Sequence, residues 1–430
     1  MLNTLVVAAL AGQAAAFPWV AHSVGMSKRD FEGETLTRGI EARDDRQTCG
    51  FNPNHVPAQG ITDEYPYCGA KFPAPGLQVC NDNLVPAKGD TAHAYMRPKS
   101  TDVRGPCPGL NTAANHNFLA RDGITTFGEL VDAQQNVYGV GYDLAILLAT
   151  LGVGLDGDPV TMKLSLGCDA TTRTASPGLG PEPGLNGHNK FEGDTSLTRN
   201  DFFLNNGDNY RFNTTLYKEM IQQCSVGGVN TAGCNFANVA RYRKQRYDES
   251  LQHNGNFYFG PKSLLLYGAA SFLYELFPSK GELGTPDKTT MDFFFRNEQL
   301  PPNWFSRVDP YSIPLVAGEI FKQYEAYPVA FGGNTGKPNT FVGIGQNGPS
   351  FSNNMFNGTA AGVACLLYQI ATENVPSALG GGGNTAFTTV PQANLDWMRS
   401  MVNPIFQSSD MTAFAACPIV APSGTGGNGK

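Results

Sequence analysis

The chain has 430 residues, with 30 Lys and Arg against 37 Asp and Glu, a net charge of −7. Charged residues make up only 16% while Gly and Pro number 50 and 29, a composition that describes a neutral, loop-rich surface. The mild acidity argues against a nucleic-acid partner, which needs a basic face for phosphate, and no internal apolar run approaches the ~20 residues of a membrane span.

From the N-terminus, residues 1–16 (MLNTLVVAALAGQAAA) carry a short apolar stretch ending in Ala14-Ala15-Ala16, the pattern of a secretory signal peptide with Phe17 as the first mature residue. Lys28-Arg29 offers a possible second processing point, and Asn213-Thr214-Thr215 and Asn357-Gly358-Thr359 are glycosylation sequons that suit an extracellular protein. Residues 17–90 are rich in Pro, Gly, Asp and Asn, show no sustained period and contain Cys49, Cys68 and Cys80. They read as an irregular arm tied by disulfides. From Gly109 helical patterns dominate. Leu110, Ala113, Ala114 and Phe118 start one helix, and Phe127 to Leu148 suggest a longer one that Gly139 and Gly141 interrupt. Residues 145–154 are apolar almost throughout and belong at the centre of a core. Further helices are expected near 159–166, 214–225, 234–249, 261–277, 287–298, 310–327, 357–372 and 391–405, with few strand signals. Gly380 to Gly383 form a loop, and the Ser/Gly-rich tail from Pro422 lies beyond the folded part. The expectation is an all-α, mostly helical single domain over 91–420 with long loops and a tail at 421–430.

The most informative stretch is Arg104-Gly105-Pro106-Cys107-Pro108-Gly109-Leu110. Pro108 lacks an N–H and suits the first helical position. Cys107 then stands near the N-cap, facing free backbone amides and the positive end of the helix dipole, a setting that stabilises a thiolate. Such a thiolate is a strong axial ligand for haem iron; the ordinary alternative is half of a disulfide in a Pro-rich turn. The segment RGPCPGLNTAANHNFLARDGI closely resembles the proximal segment of the fungal haem-thiolate peroxidases, the chloroperoxidase and unspecific peroxygenase family. The resemblance covers roughly residues 95–420 and implies a chloroperoxidase-like helical fold, with haem b bound through Cys107. His116, in the same segment, reads as a helix residue satisfied by a backbone acceptor and not as a ligand.

Phe191-Glu192-Gly193-Asp194-Thr195-Ser196-Leu197-Thr198-Arg199 is a second match, 85 residues after Cys107 and in the family's order. By itself such a string is an acidic helix start at Asp194 or Ser196. It also supplies hard oxygen donors of the kind Mg²⁺ takes. The resemblance to the peroxygenase branch implies Glu192, Gly193 (through its carbonyl) and Ser196 as Mg²⁺ ligands beside a haem propionate. Ser165-Leu166-Gly167 fits a short pattern of the same family.

One segment departs from the family. A distal Arg and Glu fall in R-x-x-x-x-Y-G-E, where the carboxylate moves the proton that peroxide cleavage needs. The matching stretch runs Lys262-Ser263-Leu264-Leu265-Leu266-Tyr267-Gly268-Ala269. Lys262 keeps a charge without the planar fork of donors, and Ala269 transfers no proton. The nearest carboxylate is Glu275, six residues on and about 600° around a helix, well off that face. Lys262 and Glu275 are therefore the distal candidates, with Ser263, Tyr267 or Ser271 as possible relays. With Cys107 set aside, eight of the nine cysteines remain for pairing. Cys224 and Cys234 would close a short loop, and the resemblance implies a Cys365–Cys417 bridge. Cys49, Cys68, Cys80 and Cys168 then tie the arm to the body. No CxxC pair points to zinc. The expected function is a secreted haem-thiolate peroxidase or peroxygenase that uses H₂O₂ to oxidise small organic, apolar or aromatic substrates. The alternatives are a haem-binding relative with little turnover and a secreted helical binding protein without haem.

Overall fold

The computed structural model describes residues 55–65, 67, 84–168, 184–190, 192–226, 233–279, 285–344, 351–373, 390–408 and 417. The expected signal segment 1–16, Lys28-Arg29, Cys49, Cys68, Cys80, the Gly380–Gly383 loop and the tail from 421 lie outside them. Among the described residues, ten α-helices make up most of the regular secondary structure, with three small antiparallel sheets between them, as the sequence led us to expect. None of these helices is long and apolar enough to cross a membrane.

The first helices set up the site. Helix α1 (Pro108–Asn115) begins with Pro108 and has Cys107 as its N-cap residue. Helix α2 (Phe127–Tyr138) starts on a reciprocal capping box between Thr126 and Glu129 and ends at Gly139, whose φ of 68° is left-handed. Helix α3 (Tyr142–Asp156) follows at once, so the interruption expected at Gly139 and Gly141 is a true break between two helices. Helix α3 has almost no polar face. It packs against α2, against helix α9 (Ala360–Thr372) and against helix α10 (Gln392–Phe406), which makes it the central post of the core.

Helices α4 (Thr214–Cys224) and α5 (Phe236–His253) pack together, joined by the Cys224–Cys234 disulfide. Helix α6 (Leu265–Glu275) follows a 3₁₀ turn at Pro261–Leu264 and lies between α5 and helix α8 (Ile313–Ala326). Helix α7 (Lys288–Asp292) widens into a π-helical turn at Phe293–Asn297. There Phe294 stacks on Phe277 with centroids 4.0 Å apart, and Trp304 donates its indole N–H to the Phe277 carbonyl at 2.8 Å.

One expected helix is absent. Residues 163–165 form strand β2 (Lys163–Ser165), paired antiparallel with β1 (Ile124–Thr126) so that Ile124 faces Ser165. The segment TMKLS is too short for a helix and has β-branched and alternating positions, and pairing with β1 buries Leu164 where an isolated turn of helix would not. The second match likewise opens no helix at Asp194 or Ser196: Glu192–Asn200 is irregular backbone. The described part of the N-terminal arm is irregular too. It is fastened to the body by the Gln59 amide donating to the Asn117 carbonyl at 3.1 Å, the Ala58 amide donating to Glu129 at 2.8 Å, and a His55–Asp122 pair at 2.7 Å.

Cys365–Cys417 forms the second expected disulfide. Cys168 is disulfide-bonded as well, while Cys49, Cys68 and Cys80 fall outside the described residues. Among the described residues, Cys107 is the free cysteine.

Candidate active site

A cavity of about 280 Å³ runs between α1, α2, α3, α6 and the 192–199 loop, and Cys107 lines it. The walls are overwhelmingly apolar: Leu130, Leu144, Leu147 and Leu151 from α2 and α3, and Leu265, Ala269, Phe272 and Leu273 from α6.

The loop that presents Cys107 is built by its own helix. Asn111 donates to the Gly105 carbonyl at 2.9 Å and accepts from the Gly105 amide at 3.1 Å. Arg104 forks onto the Asn115 side-chain oxygen at 2.9 and 2.8 Å. Tyr138 closes the third side, donating its hydroxyl to the Gly109 carbonyl at 2.7 Å. Gly105 itself crosses the 166–167 backbone so closely that a Cβ would run into the Leu166 carbonyl. The Ser-Leu-Gly string is the partner of that crossing, since a Cβ on Gly167 would meet the Arg104 carbonyl. Asn111 and Asn115, spaced one helical turn apart, escaped the sequence reading, although an Asn pair on the face that must close a preceding loop is a recognisable signal.

The Cys107 thiol meets the amides of Leu110 and Gly109, which favour its thiolate, but burial outweighs them and pushes its pKa up. Burial thus opposes ionisation of the thiol, a correction to the expectation that the helix end alone ionises it. The positive charge of a metal would be needed to draw the proton off. His116 behaves as expected. Its Nδ1 donates to the His93 carbonyl at 2.9 Å and its Nε2 accepts from the Leu300 amide at 3.2 Å.

At one end the cavity turns polar, lined by His188, Glu192, Ser196, Thr198, Arg199 and Arg243. His188 and Glu192 form a pair at 2.8 Å, and the other ring nitrogen of His188 donates to the Asn209 carbonyl at 3.1 Å. Burial by itself would lower the His188 pKa, but the hydrogen bond and charge of Glu192 outweigh it and raise it. Gly193 turns the chain at φ 80° and Thr195 at φ 74°. Asp194 points away from the cavity and accepts from the Tyr258 amide at 3.0 Å, and Asp201 accepts from the Thr195 amide at 3.0 Å. Thus the two aspartates shape the loop while Glu192 and Ser196 face inward. No cluster of three or more His, Cys, Asp or Glu side chains is set for a metal among the described residues; the 192–196 loop instead offers one carboxylate, a carbonyl and a hydroxyl.

The distal candidates are not brought together. Glu275 is buried in an ion pair with Arg307 and takes no part in lining the cavity, so it is removed as an acid–base, as its helical angle forewarned. Lys262 is half-buried and also absent from the lining; burial lowers its pKa to about 8. The three proposed relays are engaged elsewhere or lie outside the lining. Ser263 accepts from the Gly260 amide at 3.1 Å, Ser271 bonds the Gly268 carbonyl and Tyr311, and the Tyr267 ring lies under Arg243. Ala269 does line the cavity, and the α6 wall around it is wholly apolar.

A family described as "Peroxidase, family 2" matches residues 93–309. The aromatic peroxygenase of Cyclocybe aegerita is 34% identical over 287 residues, which cover 65% of this chain and 71% of that protein. The dothistromin biosynthesis peroxidase dotB of Dothistroma septosporum is 27% identical over 324 residues, covering 70% and 76%. The chloroperoxidase of Leptoxyphium fumago is 24% identical over 256 residues, covering 57% and 63%.

Proposed function

Since the chain belongs to the fungal haem-thiolate peroxidase and peroxygenase family, and is thus an oxidoreductase acting on peroxide, we propose that Cys107 is its axial haem ligand and that the apolar cavity admits small apolar or aromatic substrates. One observation carries the reading: the free cysteine among the described residues stands at the N-cap position of a helix and lines a large apolar cavity with a polar end. A flat apolar ring with acidic groups along one edge suits that distribution. Haem, when bound, supplies the chemistry of peroxide cleavage and substrate oxidation.

The residues of the chain do the rest. The amides of Gly109 and Leu110 donate toward the sulfur and hold its charge, while Asn111, Asn115 and Tyr138 keep the loop from moving. Glu192, Gly193 and Ser196 are the proposed Mg²⁺ ligands, and a cation there would offset acid charge at the polar end. The leucines of α2, α3 and α6 exclude water and select apolar substrates by area buried. The 1–16 segment and the disulfides support a secreted protein. Of the two sequons, Asn357 is exposed, whereas both ends of the Asn213 amide are engaged, its oxygen capping α4 and its nitrogen donating to Asn200 at 2.7 Å.

A second reading, a haem-binding relative with slow turnover, is favoured by the apolar α6 wall around Ala269. An absorption spectrum of the reduced protein under carbon monoxide tests the first claim. The red-shifted band of a thiolate complex is expected, and its absence from haem-loaded protein would overturn the role of Cys107. Turnover of a phenolic probe with H₂O₂ then separates the two readings.

A further inference from the structure

Arg199 and Arg243 are 3% and 1% exposed, and both line the cavity. Burying a guanidinium is costly unless an anion pairs with it, and other buried arginines here obey that rule. Arg246 reaches Asp201 and Glu249, Arg307 reaches Glu275, and Arg399 reaches Asp396. Arg199 and Arg243 have neutral partners only. Arg199 donates to the Thr198 hydroxyl at 2.8 Å and grazes its carbonyl at 3.5 Å. Arg243 donates to the Thr195 carbonyl and, at 2.8 Å, to the Thr195 hydroxyl. In each, Nε is buried with no hydrogen-bond partner. The carboxylates whose charge reaches them are engaged elsewhere: Glu298 by Asn111 at 2.7 Å, Asp208 by Arg211 at 3.2 Å, and Glu192 by His188.

Two buried cations that face one cavity and lack counter-anions mark where a ligand's negative charges belong. We infer that Arg199 and Arg243 are the partners of the two porphyrin carboxylates, holding them by charge-assisted hydrogen bonds. This rests on the haem reading and assigns residues beyond the 192–196 cation site. Both arginines are fixed by threonines of one loop, so the same nine-residue turn that offers oxygen ligands also aims two guanidinium groups. Burial lowers the pKa of each arginine to about 10, which leaves both charged at neutral pH.

The test follows haem leaving the full-length, haem-loaded protein for an excess of apomyoglobin. Wild type is compared with Arg199→Leu, Arg243→Leu and the corresponding Lys variants. Each is loaded either with haem or with its dimethyl ester, in Mg²⁺ and again in EDTA. The Leu variants should release haem about tenfold faster or more, the Lys variants less so, and the ester should leave wild type as fast as haem leaves the variants, with no further gain from substitution. Equal penalties for acid and ester would mean that the arginines only brace the loop, and would overturn the inference while leaving the haem reading intact. Should the Leu variants fail to fold, equal release of acid and ester from wild type in EDTA overturns it. A wild type that takes up neither porphyrin overturns both.

Discussion

Ala269 stands on a cavity wall with no proton-transferring group, and a carboxylate placed there would face the cavity. Ala269→Glu should raise peroxide turnover, by about 10²-fold or more if proton transfer limits the rate; steady-state kinetics with H₂O₂ checks it, and an unchanged rate would mean that another group already serves. His116 makes a pH prediction. Burial lowers its pKa from the ordinary 6.5 to about 4, with the nearby Arg121 charge acting the same way. Between these values the unfolded chain binds the proton and the folded one does not. The contribution of His116 to stability is thus complete above pH 6.5 and declines as pH falls toward 4. Denaturant titrations should show His116→Gln losing that slope, an effect of at most about 3 kcal/mol.

The elements matter for the site through two close approaches. Gly105 passes the Leu166 carbonyl with no room for a side chain, and Cys107 stands two residues later. Gly105→Ala should destabilise the protein by about 1–3 kcal/mol and broaden the haem spectrum as the loop shifts; urea unfolding and absorption report the two effects. Much of this level was legible. Pro108 at the first helical position, the break at Gly139 and the apolar run of α3 all follow from backbone chemistry. The helix expected at 159–166 did not form, because β1 offered Leu164 a buried strand partner that local periodicity cannot reveal.

At the scale of the molecule, disulfides close loops of different length: Cys224–Cys234 spans 10 residues and Cys365–Cys417 spans 52. Chain entropy makes the longer one worth more, about 4 against about 3 kcal/mol. Replacing each pair with Ser and comparing urea midpoints should give that order. The long bridge ties residues after α10 back to α9, and both helices pack on α3, so its loss should also loosen the wall behind the cavity.

Residue order pointed to Cys107 at a helix start and to the oxygen-rich 192–196 segment, because each is a local pattern of a few side chains at short spacing; that the cysteine stays unpaired and that Ala269 stands where a carboxylate is expected followed from the family resemblance. The depth of the Cys107 pocket, the pairing of Glu275 with Arg307 and the two unpaired arginines belong to the tertiary structure. Whether a charge meets a partner, and whether a thiol keeps its proton, depends on which distant segments remove water from it, and chain spacing carries no record of that.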